Sequence, residues 1–224
     1  MDRSKLAVNA IIKYSAGLIM VAALLFIPAG TLKYPNGWLF IALLFLPMFF
    51  LGAVLLAKSP ELLEKRLNNK EKRSEQSKVV AISGLVFMLS FIMAGTDYRL
   101  QLTSVPKAVV ISASVLLLVS YGLYAEVMRE NAYLSRTIEV QENQKVIDTG
   151  LYSIVRHPMY MATVLLFLSI PLVLGSWISF ALMLIYPAAI VVRIKDEELL
   201  LEAELKGYKE YKYKVKYRLI PFVW

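Results

Sequence analysis

The sequence contains no cysteine and a single histidine, His157. The first absence removes disulfides, thiolate metal sites, cysteine nucleophiles and palmitoylation together. The second excludes any zinc motif built on two histidines, and no metal is expected. Charge is scarce as well: 19% of the 224 residues are charged against 58% hydrophobic. That ratio is too oily for an ordinary soluble domain, and the length suits one domain. The charge that is present leans basic, with a formal net of +8. Because the basic residues lie between long apolar runs rather than on one soluble face, the expected partner is a membrane surface with anionic headgroups, not nucleic acid.

Charge-free stretches run from Tyr14 to Leu32, Tyr34 to Ala57, Val79 to Thr96 and Ala108 to Ala125. Each is close to the roughly 20 residues that span a hydrocarbon core. The first is longer than a signal-peptide apolar region and no small-x-small cleavage site follows, so it reads as a spanning helix that stays attached. Between Arg156 and Arg193 lie 36 residues with no formal charge. As one helix they would reach about 54 Å, too far for one crossing. Pro171 and Gly175 near their middle predict a tight turn between two short helices, about 158–173 and 177–192. The expected fold is therefore all-α: a polytopic helical membrane protein of about six transmembrane helices ending in a helical hairpin. With six spans, 22 of the 25 Lys and Arg fall on one side, which by the positive-inside rule makes that side and both termini cytoplasmic. Residues 65–78 read as a solvated connector of mixed charge.

The first four spans carry charge only at their ends, where side chains can snorkel, so residues 1–125 read as a four-helix scaffold. Asp97 and Arg99 read as a local pair in an outer loop. Residues 126–224 read as the part that holds the chemistry. Glu126–Leu134 is expected to prolong the fourth helix; 137–140 and 145–147 look extended, and Asp148-Thr149-Gly150 signals a turn. Pro158, lacking an N–H, suits the first turn of the fifth helix, whose N–H groups offer a cradle for a carboxylate or polar cofactor group. Arg193 and Glu197 are four residues apart on one helix face. The hairpin starts and ends on the same side, so it should bring His157 and Tyr160 back to Arg193 and Glu197. In the tail, Tyr208, Tyr211, Tyr213 and Tyr217 alternate with lysines and read as a headgroup-level belt.

Gly150-Leu151-Tyr152, then Arg156-His157-Pro158-Met159-Tyr160, an apolar hairpin, Arg193-x-x-x-Glu197-Glu198, Tyr208-x-x-Tyr211 and Ile220-Pro221 together resemble the isoprenylcysteine carboxyl methyltransferase family and the related membrane phospholipid methyltransferases. The resemblance covers about residues 126–224. It implies S-adenosylmethionine as methyl donor, bound in a cytoplasmic cofactor-binding region, and a lipophilic isoprenoid-type acceptor. By position in the motif it implies cofactor contacts from Gln141, Gln144, Lys145, Val146, Ile147, Tyr152, His157, Pro158, Met159, Tyr160 and Glu197, with Gln144 standing where the family often has histidine. Arg193 matches an arginine that contacts the substrate and is the catalytic candidate. The family's Phe-Gly before the tyrosine pair is missing here; Glu204-Leu205 stands near that place.

A carboxylate is already nucleophilic at neutral pH, so methyl transfer to it asks for positioning and desolvation rather than a base. An amine acceptor would need a base, for which Glu198 is the candidate. Other readings stay open. A membrane reductase of the sterol-reductase type has a similar C-terminal region but uses a nicotinamide cofactor, and should carry more Arg and Lys near the cofactor loop than Lys145. A small transporter or membrane scaffold should place polar residues mid-membrane in spans one to four, where they are scarce. Taken alone, His157 reads as a helix-start cap, and Arg193 with Glu197 as a surface pair.

Overall fold

Long apolar runs have nowhere to satisfy their backbone in lipid except within a helix, and the computed structural model is helical accordingly. It describes residues 3–67, 74–134 and 140–224. The helices are α1 (Arg3–Ala29), α2 (Pro35–Lys58), α3 (Pro60–Leu67), α4 (Ser74–Leu100), α5 (Lys107–Glu130), α6 (Pro158–Leu174), α7 (Trp177–Met183), α8 (Ile185–Glu204) and α9 (Tyr208–Lys214). A 3-10 turn, Gly150–Ser153, precedes α6. Among the described residues there is no strand: 145–147 are irregular backbone, and 137–139 lie outside the described residues.

Five helical segments are long and apolar enough to cross a membrane: α1, α2, the Val79–Leu100 part of α4, α5, and α7 with α8 taken together. α6 is apolar but has only 17 residues, about 26 Å at 1.5 Å per residue. Of the six expected spans, five have the length to cross and α6, the expected fifth, falls short of it. Large apolar side chains such as Ile19, Ile27, Leu46 and Phe50 are more than half exposed, as lipid-facing residues of a multi-pass membrane protein should be.

The hairpin turns where the sequence signalled. Gly175 closes α6 at φ 84°, a conformation costly for any residue with a Cβ. Ser176 then caps α7, its hydroxyl accepting from the Ser179 N–H. The return helix differs from the expected single segment. It breaks at Leu184, because the Pro187 ring has no N–H and conflicts with the Met183 carbonyl four residues back. It then runs on to Glu204, past the expected end at residue 192.

Two features lock the end of the bundle that holds the hairpin turn. The buried Asp97 carboxylate accepts from the Thr103 N–H at 2.7 Å and from the Thr103 and Ser176 hydroxyls, tying the α4–α5 connection to the hairpin turn. It is thus not the local partner of Arg99, whose side chain packs against Gly30 instead. The Tyr34 hydroxyl donates to the Leu174 carbonyl at 2.6 Å. Within the bundle, Val21, Leu25, Phe40, Phe45, Phe91, Leu117, Leu166 and Ile170 form the main core. Gly95 lets α4 approach α1 closely: a Cβ there would lie 2.4 Å from the Leu25 carbonyl oxygen.

α5 stops at Glu130 rather than Leu134. Asn131 ends it, its side chain accepting from the Tyr133 N–H and donating to the Tyr152 hydroxyl at 2.8 Å.

Candidate active site

The site lies where the start of α6, the end of α8, the 144–147 loop and the tail converge. Its centre is a three-residue chain. Arg193 Nε donates to the Tyr160 hydroxyl at 2.9 Å, and that hydroxyl donates to Glu197 at 2.6 Å. Tyr160 comes from the first turn of α6 and the other two from one face of α8. The hairpin thus performs the convergence the charge pattern predicted.

Beside it, the adjacent carboxylate has a different fate. Glu198 is buried and accepts from Arg156 Nε at 2.6 Å, Arg218 Nε at 2.8 Å and His157 Nε2 at 3.3 Å. Arg156 also donates to the carbonyls of Val215 and Lys216 at 2.7 and 2.8 Å. The Arg156 and His157 N–H groups bond the Tyr217 and Arg218 carbonyls, each at 2.9 Å. These bonds fold the tail back across the beginning of α6. His157 occupies the N-cap position of α6 but makes no capping bond; its ring serves Glu198 instead. His157 thus starts the helix without capping it through its side chain, and Glu198, the candidate base for an amine, is engaged by three donors.

A cavity opens against the chain of three. Its volume is about 100 Å³, and it opens to solvent. The loop contributes Gln144, Lys145, Val146 and Ile147, the 3-10 turn Tyr152, the start of α6 His157, Met159 and Tyr160, and α8 Arg193 and Glu197. Gln141 and Pro158, both expected contacts, stand apart from it. The Gln141 amide donates to the Tyr133 carbonyl at 2.6 Å and accepts from Lys65 at 2.7 Å, which braces the loop from behind. Pro158 is buried at the helix start.

Sequence reasoning missed the contribution of the tail. Tyr208 and Tyr211 are buried and line the cavity, so the belt reading fails for both; Tyr213, 85% exposed, points outward. Their i, i+3 spacing within the family-like pattern was the available signal. The Tyr211 hydroxyl donates to the Tyr152 carbonyl at 2.7 Å. The Tyr208 hydroxyl is buried with no hydrogen-bond partner among the described residues. Burial and the nearby Glu198 and Glu197 carboxylates push this phenol well above its ordinary value, so at neutral pH it remains a donor. Leu200, Leu201 and Leu205 supply an apolar wall.

A second cavity, of about 310 Å³, lies between α4, α6 and α8. Val79, Val80, Gly84 and Phe87 of α4, Phe167 of α6, and Tyr186 and Ile190 of α8 make it mostly apolar. Met159, Tyr160 and Arg193 line both cavities and form their common wall.

No curated protein matches the chain. The family model described as phospholipid methyltransferase (PEMT) matches residues 108–205, from the first turn of α5 to just past the end of α8, and so points to a membrane methyltransferase.

Proposed function

We propose that the protein transfers a methyl group from S-adenosylmethionine to the carboxylate of an isoprenoid-type lipid at the membrane–cytoplasm boundary. The observation that carries this reading is the pair of cavities, one polar and one apolar, sharing Met159, Tyr160 and Arg193 as a wall. A polar donor and a lipophilic acceptor need such adjoining compartments. In this reading residues 126–224 hold the chemistry on a scaffold of residues 1–125, and the positive-inside bias turns the polar cavity and both termini to the cytoplasm.

The polar cavity fits the donor. Glu197 offers a carboxylate to an ammonium group, the unpartnered Tyr208 hydroxyl offers a hydrogen bond, and Val146, Leu201 and Leu205 offer an apolar surface to a base. Gln144, Lys145, Ile147, Tyr152, His157, Met159 and Tyr160 complete the holding set, with Gln141 and Pro158 supporting it from behind. When bound, S-adenosylmethionine supplies an electrophilic methyl group, which a carboxylate takes up without losing a proton. Tyr160 fixes Arg193 and Glu197 relative to one another, so that the group holding the donor and the group orienting the acceptor are set by one hydroxyl. Arg193 orients an incoming carboxylate at the common wall. The apolar walls exclude water and raise the energy of that anion relative to a transition state of spread charge.

The family match also favours a second reading, methylation of a phospholipid amine. Such an amine must be deprotonated, and Glu198 is engaged by three donors. Calorimetric titration of the detergent-purified protein with S-adenosylmethionine and with NADPH tests the cofactor. Saturable binding of the first is expected; binding of NADPH alone would overturn the proposal in favour of a reductase. Glu197→Ala should weaken S-adenosylmethionine binding by about tenfold or more, the equivalent of one charge-assisted hydrogen bond. Arg193→Ala should raise the acceptor KM more than it weakens cofactor binding.

A further inference from the structure

We propose that the rings of Phe87, Phe167 and Tyr186 form a floor that sets how much hydrocarbon the acceptor carries past the common wall: about eight carbons, or two isoprene units. This rests on the apolar cavity being the acceptor site.

Apart from Arg66, the described residues lining that cavity come from α4, α6 and α8 and lie in three levels, one helical turn apart. Val80, Tyr160 and Arg193 stand at the level of the common wall. Gly84, Thr163 and Ile190 line the middle level, and Phe87, Phe167 and Tyr186 the last. On each of the three helices the deepest lining residue is therefore aromatic. The rings close on one another edge to face, with centroids 4.4 Å apart for Phe87 and Phe167, 4.8 Å for Phe167 and Tyr186, and 5.5 Å for Phe87 and Tyr186. One turn further on, Phe91, Ile170 and Met183 are all buried. Aliphatic side chains could yield to a longer guest by changing rotamer; three rings packed edge to face against a filled layer resist it.

The depth follows from the helices. Seven residues separate Val80 from Phe87, Tyr160 from Phe167 and Tyr186 from Arg193, about 10 Å of helix rise in each case. The reacting end of the acceptor has to stand at the common wall, because that wall is the boundary with the polar cavity. An extended hydrocarbon advances about 1.3 Å per carbon, given C–C bonds of about 1.5 Å in a zigzag. The chain thus meets the rings after about eight carbons. The middle level leaves it room. A Cβ at Gly84 would have no neighbour within 4 Å, and the Thr163 hydroxyl is turned to the Tyr160 carbonyl, to which it donates at 3.1 Å.

The test is calorimetric binding of two probe series to the full-length protein in detergent micelles, without methyl donor. One series is S-butyl-, S-octyl- and S-dodecylthioacetic acid; the other is the monoalkylglycerols with the same chains. Each variant is compared with the wild type at each chain length, so partition of the probe into micelles cancels. Gly84→Leu removes no core atom. It should leave the butyl probes within about twofold and weaken the octyl probes by about tenfold or more, the equivalent of two buried methylenes. Phe167→Ala should strengthen the dodecyl probes by about tenfold and leave the butyl probes unchanged. Phe167→Leu should do the same to a smaller extent, and carries the test if the alanine variant fails to fold. A length threshold in either series supports the floor, whatever the head. Equal changes at all lengths, octyl affinity unchanged in Gly84→Leu, dodecyl affinity no stronger in either Phe167 variant, or no binding of either series overturns it. A parallel titration with S-adenosylmethionine keeps the two proposals apart, since failure to bind the donor would sink the methyltransferase reading and leave the length threshold standing.

Discussion

Replacing Tyr208 with Phe removes one oxygen that is buried and unpartnered. Leaving a hydroxyl buried and unsatisfied costs on the order of 1–3 kcal/mol, so without ligand the variant should be as stable as the wild type or more stable by about 1 kcal/mol. Binding should move the other way. If the phenol donates to a charged or strongly polar group of the methyl donor, losing it costs about 1.5–3 kcal/mol, a weakening of about 10- to 100-fold. Tyr211 is the internal comparison. It stands on the same short helix and lines the same cavity, but its hydroxyl donates to the Tyr152 carbonyl at 2.7 Å. Tyr211→Phe should therefore cost about 1 kcal/mol of stability and change affinity less. Thermal unfolding in detergent and calorimetric titration with S-adenosylmethionine separate the two effects. If Tyr208→Phe destabilised the ligand-free protein and left affinity unchanged, the phenol would be a structural group and the assignment of this cavity would lose its strongest polar contact.

Glu198→Ala should be the most damaging single change at the site, because it strands Arg156, Arg218 and His157 around a vacated carboxylate. Breaking a buried ion pair in this way costs about 3–5 kcal/mol, visible as a fall in Tm of roughly 10 °C; a Tm within a degree or two of wild type would refute the clamp. Gly95→Ala should lower stability by about 1–3 kcal/mol through overpacking, since the new methyl would meet the Leu25 carbonyl oxygen. It should leave S-adenosylmethionine affinity intact, because α1 contributes nothing to the cavity lining.

Several decisions belonged to the sequence alone. Long uncharged runs dictate helices in lipid, Gly175 dictates where the hairpin turns, Pro158 dictates where α6 begins, and the spacing of Arg193 and Glu197 places both on one face. These are local, and backbone chemistry settles them. The division between Glu197 and Glu198 was not local. Neighbouring residues on a helix point about 100° apart, so one of two identical carboxylates faces the cavity and the other faces Arg156 and Arg218. Which is which depends on how α8 is rotated against α6 and the tail. Tyr208 and Tyr211 read as a headgroup-level belt for a related reason: alternating Tyr and Lys looks the same whether the segment lies on a membrane or folds inward. The backbone bonds from Arg156 and His157 to Tyr217 and Arg218 decide for the latter. In a membrane protein the lipid-facing and protein-facing sides of a helix are both apolar, so polarity marks which segments cross but not which faces meet; that is left to tertiary packing.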